Sequence, residues 1–381
     1  MQRTIKRQAM RLVSAILMVH PAIDAAAAEP VHPGQLITAV TRTANPLPDA
    51  AENFTISYIS TSFDGRNTVV YGRVALPKTP APQNGYPVIS WANGTTGFAP
   101  QCAPSLMSTY PDAYLNEWVK RGYAVLRTDY EGWGASGPRP VIHGRSNAAA
   151  VADIVTAAHH LTDKLSNDWI AVGHSEGGGA VLWAAALNKR PADKYPLKAA
   201  IAIAPIGPGI LKFMDDAAGG AFVHQAAQPF ISVTVLGAQV VDPSINLNDL
   251  VADPMMAQVA EARTKCLADL VKLPQLPKGQ YLKAGDAYAK LARFVREQDA
   301  SSLTLGVPAL IIQAQDDKTT VTPDTTGQMI KSLCSRGASV TYKQYEGQGH
   351  SSVIGASRED ALGFAEAAFA GRLPAGRCHQ D

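Results

Sequence analysis

One serine in this 381-residue chain stands where it could act as a nucleophile. Ser175 lies in Gly173-His174-Ser175-Glu176-Gly177, a GxSxG pattern. The apolar run Trp169–Gly173 precedes it, and small and apolar residues from Gly178 to Leu187 follow. A strand running into a tight turn and then a helix holds such a serine on a strained bend at the carboxyl edge of a sheet. Glycines around it keep side chains off the neighbouring backbone. The pattern alone also fits an ordinary glycine-rich connection. The strand–turn–helix context is what singles it out.

A serine hydroxyl attacks only when a base takes its proton and a third group orients that base. On this kind of bend the chain order is serine, acid, histidine. Three histidines follow Ser175. His224 falls in a long intervening segment and His379 sits in the tail beside Cys378. His350 closes the loop Glu346-Gly347-Gln348-Gly349-His350, directly after the strand-like run Val340–Tyr345, and is the base expected here. The acid should end a core strand, and Asp316 and Asp317 follow Ala309–Ala314 directly. A G-x-x-D turn laid on Ala314-Gln315-Asp316-Asp317 favours Asp317, with Asp316 as the alternative. Helix or turn capping would not explain an acidic pair at a strand end. Donors for a developing oxyanion are also required. The main-chain N–H of Glu176 is one expectation, and Thr95 in the turn-rich Asn93-Gly94-Thr95-Thr96-Gly97 is the other. Asn53 and Asn93 match glycosylation sequons, but a glycan on Asn93 would fall inside this site, and both are discounted.

The elements that must position these residues alternate along the chain. Strand-like runs cover 55–60, 68–76, 87–91, 124–128, 169–173, 199–204, 309–314 and 340–345, and helical patterns cover 114–121, 147–165, 178–187, 324–334 and 358–370. The later strands are nearly continuous apolar runs, as parallel strands covered on both faces should be. The expected fold is therefore α/β, a doubly wound and mostly parallel sheet. Residues 30–50 read as an irregular lead-in. Residues 207–301 break the alternation with helical, polar-interrupted sequence, too long for an ordinary connection. They are expected to form an inserted helical lid or cap between core parts 29–206 and 302–381. Phe213, Met214, Phe222, Val223, Phe230, Ile231, Val233 and Val235 are its candidates for an apolar wall.

Arg3, Lys6, Arg7 and Arg11 precede the apolar run Leu12–Val19 and the small residues Ala26-Ala27-Ala28. That order reads as a secretory signal over residues 1–28 with cleavage near Ala28, and the run is too short to span a bilayer. Export to the medium or the periplasm follows. Residues 1–28 hold four basic groups and Asp24, a net of +3, so the formal charge of +2 becomes about −1 for the remainder. No basic excess is left to hold nucleic acid or an anionic membrane. Cys102, Cys266, Cys334 and Cys378, without a CxxC pair or clustered histidines, point to disulfides rather than a metal site, and spacing allows three pairings. No cofactor or metal is expected.

WANGTTG followed by QCAPS, then TDYEGWGASG, HGRS, GHSEGG and YEGQGH resemble, in order, the secretory lipase family of α/β-hydrolases, from about residue 35 to the end. The resemblance implies an α/β-hydrolase fold, Ser175, Asp317 and His350 as a triad, and a mostly helical lid over residues 207–301. It also implies Cys102–Cys266, linking the oxyanion loop to the lid, and Cys334–Cys378, tying down the tail. The expected activity is hydrolysis of carboxylic esters through an acyl-enzyme, the acyl chain lying under the lid. Amide cleavage or acyl transfer on the same triad is the alternative; a binding protein on a dead scaffold would lack a triad member. Two residues depart from the typical pattern: Asn93 stands for histidine and Glu176 for glutamine. The Glu176 carboxylate must point away or pair with a cation, or it would oppose the oxyanion. The acid loop DDKTTVTP is one residue longer than usual, which keeps Asp316 open.

Overall fold

The computed structural model describes residues 31–380 apart from 43–44, 109–110, 135–136, 188–193, 320 and 374–377. The expected signal at residues 1–28 and its cleavage site lie outside the described residues. Ten strands form one sheet: β1 Leu36–Thr41, β2 Ala50–Thr61, β3 Asn67–Pro77, β4 Tyr86–Ala92, β5 Ala124–Thr128, β6 Leu165–His174, β7 Leu197–Ile203, β8 Ala309–Ala314, β9 Val340–Tyr345 and β10 His379–Gln380. Their order is β1-β2-β3-β5-β4-β6-β7-β8-β9-β10. The seven from β5 to β10 run parallel, and β1, β2 and β3 are added antiparallel at one edge.

Alternate residues of the central strands face opposite layers. Ile170 and Val172 of β6 join a core with Ile201 and Ile203 of β7 and with Trp118 of helix α1, Asp112–Lys120. Trp169 and Ala171 pack with Val151 of helix α2, Gly144–Leu161, and Val181 of helix α3, Glu176–Leu187. Burial on both faces explains why these strands read as continuous apolar runs.

Two readings from the sequence need correction. The lead-in contains β1, whose residues after Leu36 are exposed. An edge strand has one neighbour, so its order comes from main-chain pairing with β2 and leaves little apolar signal in the sequence. The helical pattern read over 147–165 ends at Leu161, because Thr162 turns extended (φ −153°) and β6 begins at Leu165.

Between β7 and β8 lie α4 Pro208–Ala218, α5 Gln228–Val241, α6 Leu247–Leu250, α7 Asp253–Ala262, α8 Leu267–Leu270 and α9 Asp286–Glu297. Of the eight expected wall residues, Met214, Val223, Ile231, Val233 and Val235 are buried in the core that the sheet shares with this segment. Phe213 and Phe230 are partly covered, and Phe222 remains 62% exposed. After β8 come α10 Pro323–Ser335, α11 Ser352–Ala356 and α12 Arg358–Phe369. Disulfides join Cys102 to Cys266 and Cys334 to Cys378. No helix among the described residues is long and apolar enough to cross a membrane.

Candidate active site

Ser175 occupies the turn between β6 and α3 with φ +57°, a left-handed conformation that costs a non-glycine residue about 1–3 kcal/mol. Its N–H donates to Ile203 O at 2.9 Å, and its C=O accepts from Gly179 and Ile206 at 3.1 Å each, so neighbouring elements hold the bend. The glycines around it are sites of close approach. A Cβ on Gly173 would lie 2.3 Å from Gly177 O, and one on Gly177 would lie 2.0 Å from Ala92 O. Helix α3 therefore starts against β4 and β6 at a distance no side chain permits.

The structure brings Ser175, His350 and Asp317 together. His350 Nε2 lies 2.9 Å from Ser175 Oγ, and its Nδ1 lies 2.6 Å from Asp317 Oδ2. Asp317 Oδ1 accepts from Thr319 N at 3.0 Å and Thr319 Oγ1 at 2.6 Å. Burial pushes the Asp317 carboxyl up, but the bond and charge of His350 and the two Thr319 bonds outweigh it and hold it below the usual range. An ionised carboxylate only accepts, so the His350 proton sits on Nδ1 and leaves Nε2 to accept from the serine hydroxyl. Asp316 is exposed, and its N–H donates to Gln348 O at 3.0 Å. His224 is exposed on the inserted segment, and His379 pairs with Thr341 in the sheet.

Thr95 sits in the loop after β4, beside the serine. A Cβ on the adjacent Gly94 would stand 3.5 Å from Ser175 Cβ. Among the described residues no hydrogen bond takes up the main-chain N–H of Thr95 or Glu176. Asn93, 2% exposed, receives Arg127 Nε at 2.8 Å and Trp91 Nε1 at 3.1 Å on Oδ1 and donates through Nδ2 to Thr128 O at 2.7 Å. That leaves its side chain no room for a glycan. The Glu176 carboxylate sits in a cage of donors and meets Arg139 at 3.0 Å, both side chains being fully enclosed.

Several residues here carried no signal in the sequence. His174 directly precedes Ser175, and its Nε2 is 2.8 Å from His350 O. Burial first, then the neighbouring His350, push its pKa down to about 3. Neutral His174 therefore donates to the His350 carbonyl and ties the His350 loop to the serine turn. Arg139 and Asn147 are similarly invisible, because their partner Glu176 lies across the fold, whereas Thr319 meets Asp317 two residues away in a local turn.

Comparison with known proteins places this fold in a class. The mostly parallel sheet with helices on both faces is that of the α/β hydrolases. The family model described as serine aminopeptidase, S33 (Hydrolase_4) matches residues 107–354, and the chain belongs to that family. Among solved structures, Candida antarctica lipase A in its closed state superposes with a TM-score of 0.74 at 19% identity, covering 90% of this chain and 84% of that one. The rice cell wall degrading esterase LipA from Xanthomonas oryzae gives 0.72 at 19% identity, covering 88% and 100%. At such identities the likeness is one of fold. No curated protein matches the sequence significantly.

Proposed function

We propose that the protein is an exported serine hydrolase of carboxylic esters. The observation that carries this reading is the line from Ser175 Oγ through His350 to Asp317, 2.9 Å and 2.6 Å in its two links. His350 takes the hydroxyl proton as Ser175 attacks the ester carbonyl. The tetrahedral oxyanion forms against the N–H groups of Thr95 and Glu176, and His350 returns the proton to the departing alcohol. Water, activated by the same histidine, then releases the acid from the acyl-enzyme. Residues 207–301 act as a lid, tethered beside the oxyanion loop by Cys102–Cys266. The two disulfides suit an oxidising compartment, in keeping with export.

The family description also favours a second reading, amide or peptide cleavage on the same triad. An aminopeptidase must hold a free ammonium group, and the carboxylate that follows Ser175 in the chain, Glu176, is already paired with Arg139. That supports esters. The test is turnover of paired ester and amide substrates sharing one acyl group, with p-nitrophenyl esters of increasing chain length, for the native enzyme and Ser175→Ala. Loss of the triad nucleophile should cost on the order of 10⁶ in turnover. A folded Ser175→Ala keeping more than a few per cent of activity would remove the assignment, and faster amide than ester turnover would favour the second reading.

A further inference from the structure

We propose that Arg139 is a positioning residue for the oxyanion site, acting through the Glu176 carboxylate on Thr95; this rests on the ester-hydrolase reading above. The segment after β5 grips the loop 93–97 at its two ends, and Glu176 of α3, itself held by that segment, grips its middle. Tyr130 Oη donates to Asn93 O at 2.8 Å, and Trp133 Nε1 donates to Gly97 O at 3.1 Å. Between them, Thr95 Oγ1 donates to Glu176 Oε2 at 2.7 Å, and Arg139 Nη2 reaches both Glu176 oxygens at 3.0 Å. Ile142 N at 2.9 Å and Asn147 Nδ2 at 3.0 Å complete the set on Oε1. The Arg139 guanidinium lies 3.7 Å over the Trp133 ring, so one aromatic supports both the cation and the end of the loop.

The departure from glutamine at position 176 has a physical reason in this cage. Arg139, Ile142, Asn147 and Thr95 all present donors, and a carboxylate offers acceptors on both oxygens where an amide would turn its NH₂ toward one of them. Arg139 also cancels the charge that would otherwise face the oxyanion. Because Glu176 supplies one proposed oxyanion N–H and Thr95 the other, a single ion pair sets the spacing between the two donors. Among the described residues Arg139 Nε and Nη1 are buried without a hydrogen-bond partner, so the guanidinium is held by Glu176 and the ring rather than by a wider network.

The test compares Arg139→Met and Thr95→Val with the native enzyme. Thr95→Val keeps side-chain shape and the main-chain N–H while removing the tie to Glu176, and carries the test should Arg139→Met fail to fold. The readouts are kcat and KM for one p-nitrophenyl ester, and the affinity of a trifluoromethyl ketone with the same acyl chain, whose adduct on serine places an oxyanion in the site. Losing a donor costs about 10²–10³ in kcat, and a misplacement of about 1 Å costs up to 10². Arg139→Met should therefore lose about 100-fold and Thr95→Val about 10-fold in kcat, with KM within about twofold and ketone affinity falling in step. A folded Thr95→Val with native kcat and native ketone affinity, or losses confined to KM, would overturn the brace while leaving the ester-hydrolase reading intact. A native enzyme inert to both ester and ketone would overturn that reading and the brace with it.

Discussion

Replacing Asp317 by asparagine should reduce ester turnover far more than the same change at Asp316. The asparagine would still accept from Thr319 through its oxygen, as Asp317 Oδ1 does now at 3.0 and 2.6 Å. Its NH₂ would then face His350 Nδ1, where the carboxylate oxygen stands at 2.6 Å. A donor there requires an unprotonated Nδ1, so the ring proton moves to Nε2, the nitrogen 2.9 Å from Ser175 Oγ. The base would present a proton where it must accept one. A wrong tautomer in such a triad costs about 10⁴ in kcat, equivalent to roughly 5.5 kcal/mol at 1.36 kcal/mol per tenfold. Asp316 is exposed and lies outside this line, so Asp316→Asn should stay within about threefold of native, as surface changes usually do. The assay is steady-state hydrolysis of a p-nitrophenyl ester by both variants, with folding checked by circular dichroism. Equal losses, or the larger loss at Asp316, would refute the reasoning and move the acid one residue back.

Phe222→Ala should shift chain-length preference with little change in Tm, because a side chain 62% exposed contributes little to packing; an unaltered preference across short and long esters would remove Phe222 from the acyl path. Cys102→Ser with Cys266→Ser opens a closure spanning 164 residues and should lower stability by about 2–5 kcal/mol in a denaturant titration; an unchanged midpoint would show that the tether is dispensable. Stability should also fall on acidification. Burial pushes the pKa of His143 down to about 4 and that of His174 to about 3. The unfolded chain therefore binds protons below about pH 6.5 that the fold refuses, a loss of about 2 kcal/mol per histidine by pH 5. Asp129, raised by burial to about 6, takes its proton earlier in the fold and offsets about 1 kcal/mol of this loss over the same interval. A denaturant midpoint at pH 5 equal to or above that at pH 7 would contradict the balance.

What could be read from the amino-acid order is whatever depends on neighbours in the chain. The run Trp169–Gly173, the glycines after Ser175 and the apolar residues of α3 spell strand, turn and helix locally, because side-chain periodicity and glycine freedom act over a few residues. Continuous apolar strands likewise announced a sheet covered on both faces. The helical character of residues 207–301 was equally legible, since about 95 residues without a core strand leave few other options. Pairings across the fold were not. His350 meets Ser175 over a separation of 175 residues and Asp317 over 33, and chain order narrowed these partners without setting their distances. The choice between Asp316 and Asp317 needed the turn after β8, which buries one carboxylate and exposes the other. Strand β1 escaped notice because its order comes from pairing with β2 rather than from its own side chains. The cage of Glu176 is wholly tertiary: Arg139, Asn147 and Thr95 have no spacing rule in common, and only the packing of the β5–α2 segment and the loop 93–97 around α3 brings them onto one carboxylate. The chain order could say that a charge beside Ser175 must be answered, and folding alone decided which cation answers it.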